Sequence, residues 1–552
     1  MVTLHSRQIA LDPLVVVGKN DAEVDTVNCA AAVDAINSAG GGTLEFRGTV
    51  QIEAQQNFTT GNVTLRGTKD AVIVSAYNGS SGQGTPRLGG YDCLFEFRPD
   101  TGYDGTTIAQ SAIELNKSAN SIALDDGDIA THGLSVGDWL LLKSDKPDTR
   151  SSGSTSNYGQ AVKIANLDAS GNPDLVFIST PLVENIEVAS LIDIQKVTVL
   201  RHIMIEDLVF ENPNDKHVSL ISFEGVQDSS INGLHVRREI VGDKGGSGGL
   251  LMRNVMDVEI NDYRHEGVTD KIISTTNPSG SLLYAHQEFY GILFTDLGTL
   301  RINNPVIRDT RHSLTTSGTV GNPIILMQGG HCSNKGSAVV DSHDAGFVTL
   351  KNVKIETTRR PTGDEGYDEN PRGIQMRSAN PVIDGCDIWG TGELITLRGD
   401  NATVKNCSLN GYGASSGTAS PAIGLDQTKN VSNSKILSNV INSSARYGVH
   451  CGTSTNTIID GNKFYDTCNA PDDQTVHIQA SDAEGLEITN NSLRDNANVS
   501  NSVRHNGDIP TTKARFFNND CRGYGSGDDG FLDGGTRSDY VTDLDAANTT
   551  DA

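Results

Sequence analysis

A six-residue pattern returns along most of this chain: an apolar residue, any residue, a small turn-former, any two residues, then a second apolar residue. It reads Ile205-Asp207-Phe210, Ile231-Gly233-Val236, Ile302-Asn304-Ile307, Leu350-Asn352-Ile355 and Ile383-Gly385-Ile388. It continues as Val404-Asn406-Leu409, Ile436-Ser438-Ile441, Ile459-Gly461-Phe464 and Ile488-Asn490-Leu493. Neighbouring turn-formers lie 21 to 71 residues apart, and the shortest spacing is close to the ~20–25 residues of one solenoid coil. The widest gap, Gly233 to Asn304, predicts a degenerate coil near Val258–Ile260. Short apolar stretches precede several centres, at 291–294, 338–340, 373–376 and 394–397. Two short strands per period, joined at an Asn or Gly that accepts a left-handed backbone, predict an all-β fold, a right-handed parallel β-helix. Such a solenoid presents a long flank suited to an extended polymer.

The composition agrees with a thin aliphatic core wound through many turns. Of 552 residues, 36% are hydrophobic, 5% are aromatic and 59 are glycine. A formal charge of −26 argues against nucleic acid as a partner, because polyanion binding draws on a basic surface. No apolar run approaches the ~18–20 residues of a membrane span, so no membrane insertion is expected. The start, Met1–Arg7, has no apolar signal core, so no signal peptide is expected. The eight cysteines show no metal-ligand spacing. Cys386 and Cys407 follow Gly385 and Asn406 and read as stacked buried thiols. No nucleotide or metal motif appears, and no cofactor is called for.

Four regions follow. Residues 1–105 hold an N-terminal cap and the first coils. Asn28 is placed to cap a helix over Cys29–Ala39 that stops at Gly40-Gly41-Gly42, with an alternating strand over Thr43–Val50. Residues 106–196 break the rhythm. Leu134–Lys143, Ala161–Ile164 and Leu175–Ile178 read as strands of an inserted antiparallel β-domain, with an exposed loop at Ser144–Gly159. Residues 197–522 form the main solenoid. Residues 523–552, rich in Gly, Asp and Thr, read as an extended tail.

Ionisable residues gather where the coils are interrupted. Eight residues before four centres stand Asp296, Asp344, Arg377 and Arg398, a charged stripe down one flank. Long insertions at Arg264–Phe289, Arg308–Lys335 and Thr357–Pro371 border it, and loops on a rigid scaffold are where binding and catalytic groups concentrate. Asp341 and His343, two apart in a strand, project to one side, outward if Val340 is in the core. A carboxylate beside an imidazole fixes its tautomer and raises its basicity. Asp344 and Asp296 are candidates for a second carboxylate one coil away. Arg311, Arg372, Arg377 and Arg398 are candidate clamps for carboxylate or phosphate groups, with His312 beside them. Tyr290 and Tyr367 are candidate platforms for sugar rings.

The order of parts in Tyr290–Arg377, with Arg311-His312 followed some thirty residues on by Asp341-x-His343, resembles a set of phage and prophage β-helix proteins. The helix, glycine turn and strand at the N-terminus resemble the opening of pectate-lyase-like β-helices, phage tailspikes among them. The segment from Gly133 to Asp145 resembles the insert of many such proteins. The resemblance implies a virion tailspike or tail-fibre protein, a homotrimer, acting with other tail proteins on a bacterial surface polysaccharide. Three functions fit: a depolymerase, hydrolase or lyase; a receptor-binding protein that grips the polymer uncut; and a structural virion component. Clustered carboxylates and histidine favour hydrolysis slightly.

Overall fold

The computed structural model describes residues 14–18, 20–77, 93–100, 106–108, 115–116, 118–147, 157–179, 181–182, 191–211, 219–237, 249–266, 274–276, 282–284, 290–310, 312–335, 338–343, 346–358, 372–411, 421–426, 430–442, 447–465, 476–481, 483–493, 501–506, 515–520 and 531–533. The chain winds into a parallel β-helix. Each coil carries three short strands rather than two, because the six-residue pattern itself spans the second and third strands. One coil runs through Arg372–Met376, Val382–Asp384 and Asp387–Gly390, the next through Glu393–Leu397, Thr403–Lys405 and Ser408–Gly411. Every strand pairs in parallel with its counterpart one coil on. Ile374, Ile395 and Ile423 stack in the first position, Ile383, Val404, Ile436 and Ile459 in the second. Ile388, Leu409, Ile441 and Phe464 stack in the third. These columns form one continuous core with almost no exposure.

The second and third strands meet at a single residue with positive φ. Asn304 (52°), Gly329 (66°), Asn352 (53°), Gly385 (64°) and Asn406 (55°) form such a column. Their backbone N–H groups carry the ladder on; that of Asn304 donates to Gln328 and that of Gly329 to Lys351. The alternation of Asn and Gly has a steric cause. A Cβ on Gly329 would meet Asn304 Oδ1 at 2.5 Å, and one on Gly385 would collide with the carboxamide of Asn352. Two members escape the sequence pattern. The degenerate coil turns at Asp262 (54°), with His265 buried in the apolar third-strand place and bonded to the Tyr263 hydroxyl at 2.9 Å. A further coil turns at Gly329, with Met327 and Cys332 as its apolar pair. That coil lies inside the stretch read as an insertion at Arg308–Lys335; His312–Gln328 and His331–Lys335 are its strands.

The residue after each turn points inward. Asn439, Asn462, Asn491 and Asn519 form a buried ladder there, each backbone N–H donating to the next carboxamide oxygen at 2.9 Å. Cys386 and Cys407 occupy the same place, both buried, and the Cys407 N–H donates to Asn439 Oδ1 at 2.9 Å. The six described cysteines are buried, and burial pushes the thiols of Cys29, Cys332 and Cys451 up to about 12.

At the N-terminal end a helix covers the open cross-section of the first coils. It spans Ala22–Ala39, seven residues more than the helix expected over Cys29–Ala39, because Asp21 caps it by accepting from the Val24 N–H at 3.0 Å. Gly40 ends it at φ 76°. Its Cys29, Val33 and Ile36 join the solenoid core. No described helix is long and apolar enough to cross a membrane.

Between Thr106 and Lys196 the strands are antiparallel. Trp139–Pro147 pairs with both Asn157–Asp168 and Leu191–Lys196, and Asp174–Ile178 pairs with Ser121–Leu124. This unit has its own core, including Ile122, Leu140, Val162 and Val176. A second cluster, Trp139, Leu141, Ala161 and Val197, packs on Met256 of the solenoid. Lys163 Nζ reaches Asp257 at 2.9 Å, and Asn157 pairs with Val320. The unit is thus tied to the solenoid across several coils. Beyond Arg522, the strand Phe531–Asp533 adds to the first-strand sheet.

Candidate active site

The first strand of each coil is unlike the other two. Its inner residues, Leu314, Val340, Ile374, Ile395 and Ile423, are in the core. Its outer row is polar and in register: Thr315, Asp341, Gln375, Thr396 and Gly424. Facing away from the core, Thr315, Asp341, Gln375 and Thr396 are nonetheless only 2–4% exposed. A polar row on the outside of a solenoid that is itself buried is a row of polar groups held by their neighbours rather than by water.

Asp341 is the hub of that row. Its Oδ1 accepts from Gln375 Nε2 at 3.0 Å, and its Oδ2 lies 2.8 Å from His343 Nε2 and 3.5 Å from Arg377 Nη2. Arg377 Nη1 meets His343 Nδ1 at 2.9 Å. A guanidinium only donates, so Nδ1 accepts and the imidazole proton sits on Nε2, donated to Asp341. The His343 N–H is fixed by the Thr316 hydroxyl at 2.9 Å. His312 Nδ1 donates to the Ala338 carbonyl at 2.5 Å, which aims its Nε2 at Asp341, 3.8 Å away. Burial would raise the Asp341 carboxyl. The hydrogen bond from His343, with His312 and the Arg377 guanidinium facing the same carboxylate, outweighs burial and holds the carboxyl well below the usual carboxylate range. Asp341 is a buried carboxylate kept ionised. His343 is the member of the pair that reaches the surface, with 38% of its side chain exposed.

The other candidates distribute as follows. Tyr290, half-buried, stacks on His312 with ring centres 5.6 Å apart and planes 6° from parallel. Arg372 Nε lies 3.5 Å from Glu393 Oε2, and Arg398 Nε 2.9 Å from Asp426 Oδ2. Arginines read as polymer clamps are therefore engaged with carboxylates of the protein. Asp296 does not supply the second carboxylate one coil from Asp341. It is bonded to Arg253 at 2.9 Å, and the coil hidden in 312–335 stands between the two. Asp344, Arg311 and Tyr367 lie outside the described residues. Sequence reasoning passed over Gln375 and Glu393; the signal for both was their register in strands 372–376 and 393–397, which aligns Gln375 with Asp341. Among the described residues no group of three or more His, Cys, Asp or Glu side chains is placed to hold a metal ion.

Neither a family model nor a curated protein sequence matches this chain. Solved structures do. The gp49 tailspike of Pseudomonas phage LKA1 matches with a TM-score of 0.56 at 14% identity, over 92% of this chain and 77% of that one. The Gp54 tailspike of Acinetobacter baumannii bacteriophage AP22, solved with a capsular saccharide, gives 0.53 at 12%, over 94% and 76%. The gp61 tailspike of Pseudomonas phage phi297 gives 0.53 at 12%, over 90% and 70%. At these identities the likeness is one of fold: the chain has the parallel β-helix of phage tailspikes.

Proposed function

We propose that this protein is a tailspike of a phage virion that binds a bacterial surface polysaccharide (capsule, O-antigen or exopolysaccharide) and depolymerises it by hydrolysis. The observation that carries this reading is the ionised, buried Asp341 on the outer face of the first-strand sheet, bonded to the partly exposed His343. A carboxylate–imidazole pair of this kind handles the proton of a reacting hydroxyl or water. The fold shared with a tailspike solved with a capsular saccharide supports a glycan as the ligand. Tyr290, stacked on His312, offers a flat edge to a sugar ring. Hydrolysis is favoured over elimination because a lyase must neutralise a uronate carboxylate. Arg253, Arg372, Arg377 and Arg398 are each paired with a carboxylate of the chain. The alternative is a receptor-binding or structural virion protein that adheres to the glycan without cutting it. Purified capsules and O-antigens separate these readings. New reducing ends mark hydrolysis, ultraviolet absorbance from unsaturated uronates marks a lyase, and binding without either marks an adhesin.

A further inference from the structure

The second-strand face carries a groove that the Asp341 cluster does not use. Its volume is about 540 Å³, within the range of sites that hold organic ligands. The floor is one outward row in register: Met204, Ser230, Glu259, Arg301 and Leu326. Rungs of ~4.8 Å make that row ~19 Å long, an extended slot rather than a compact hollow. Along one edge His202, Asp228 and Asp257 enter the strand at left-handed φ of 59°, 48° and 52°, and Thr299 follows them. The inserted unit borders the groove. Its Lys163 Nζ lies 2.9 Å from Asp257 and 3.9 Å from Asp228, and its Asn157 pairs with Val320.

We propose that this groove is a second glycan site, one that holds a neutral stretch of the polymer several sugar residues long and does not cut it. This rests on the reading of a polysaccharide as the ligand. Charge, polarity and shape select that chemistry together. The carboxylates of Asp228, Asp257 and Glu259 face the Lys163 ammonium and the Arg301 guanidinium, the latter 3.2 Å from Glu259. A groove so nearly balanced gives little to a polycation or a polyanion, whereas a hydroxyl-rich chain finds donors and acceptors side by side. The floor is apolar at its ends, with Met204 41% exposed at one and half-buried Ile324 and Leu326 at the other. The C–H faces of sugar rings can lie against these side chains. The slot also runs along the solenoid axis, the direction of an extended polymer. Ile324 and Leu326 pair with Phe347 and Thr349, in the second strand of the coil whose first strand holds Asp341. The groove thus ends one coil short of Asp341 and on the adjoining face, so it governs retention of the polymer rather than bond cleavage.

The test uses the full chain carrying Asp341→Asn, so that binding is read without cleavage, and a capsule or O-antigen that the wild type binds, intact and as oligosaccharides from partial acid hydrolysis. The chain has six methionines; among the described ones Met204 is exposed, while Met252, Met256, Met327 and Met376 are buried. With methyl-labelled methionine, the Met204 resonance, assigned by its loss in Met204→Leu, should shift as oligosaccharide is added while the buried ones stay. Ser230→Arg fills the slot. Glu259→Ala combined with Arg301→Ala removes a solvent-facing pair without leaving a lone charge. Each should weaken binding of the intact polymer at least ~10-fold, because one of two linked contacts is lost. A Met204 resonance unmoved at saturation, or polymer affinity within a few-fold of the parent in both groove variants, overturns the groove and leaves the depolymerase reading standing. A fall in their light-scattering mass would assign the slot to contact between copies of this chain, and also overturns it. If the wild type binds no polysaccharide, both readings fail.

Discussion

Asp341 is surrounded by groups that favour its charged form, and Arg377 is the one whose charge is permanent. Removing it has a definite sign. The folded pKa of Asp341 lies below the unfolded one, so its contribution to stability is present above the ordinary carboxylate range and is lost as pH falls through the depressed value. Arg377→Ala should raise that value and narrow the window from the acid side. It should also move the acid limb of kcat/KM to higher pH, since the Asp341–His343 pair works with Asp341 ionised. An acid limb unchanged in Arg377→Ala would show that Asp341 does not govern it. At this scale the sequence was informative where chemistry and period coincide. Asp341 and His343 are two apart in a strand, and Arg377 stands eight residues before Gly385. It misled at Asp296, since a whole coil lies hidden before Asp341. It was silent on Glu393, whose place depends on the space left by Gly424 one coil on.

The coil is legible because its turn demands a residue that tolerates positive φ, and few residues do. Asn, Gly, Asp and Ser therefore mark the column from Asp207 to Asn518. The two coils that escaped did so through their third-strand residues. His265 fills an apolar place by bonding the Tyr263 hydroxyl, and Cys332 closes a coil inside the stretch read as an insertion. The inward asparagine ladder was not legible, since its members follow the turn-former and read as ordinary polar turn residues. Its energetic weight is testable at Asn462. The side chain donates to the Ile436 carbonyl at 2.9 Å and accepts from the Asn439 backbone N–H at 2.9 Å. Asn462→Ala orphans both buried groups, at about 1–3 kcal/mol each. The exposed Lys435→Ala should stay within about 0.5 kcal/mol of wild type. Thermal and denaturant midpoints of the two variants check this; equal midpoints would mean that the ladder adds nothing.

For the molecule as a whole, a side-by-side solenoid assembly suits the long flanks and the charge of −26 per chain. We propose a homotrimer by analogy with tailspikes. Light scattering at micromolar concentration should return about three times the 58.7 kDa chain mass, and a monomer mass would contradict it. The antiparallel unit tied to the solenoid through Lys163 and Asn157 makes one flank unlike the others, and Asp341 and His343 sit on the first-strand face. The measurement that tests the central claim most directly is release of reducing ends from purified bacterial surface polysaccharides by wild type and by Asp341→Asn, with polymer binding followed in parallel. Wild type should cleave at least one polymer, while Asp341→Asn should bind it comparably and lose most turnover, about 10²–10⁴-fold for an acid–base group. Cleavage by Asp341→Asn at the wild-type rate would place the chemistry elsewhere, and a wild type that binds a polymer but never cuts it would make this protein an adhesin.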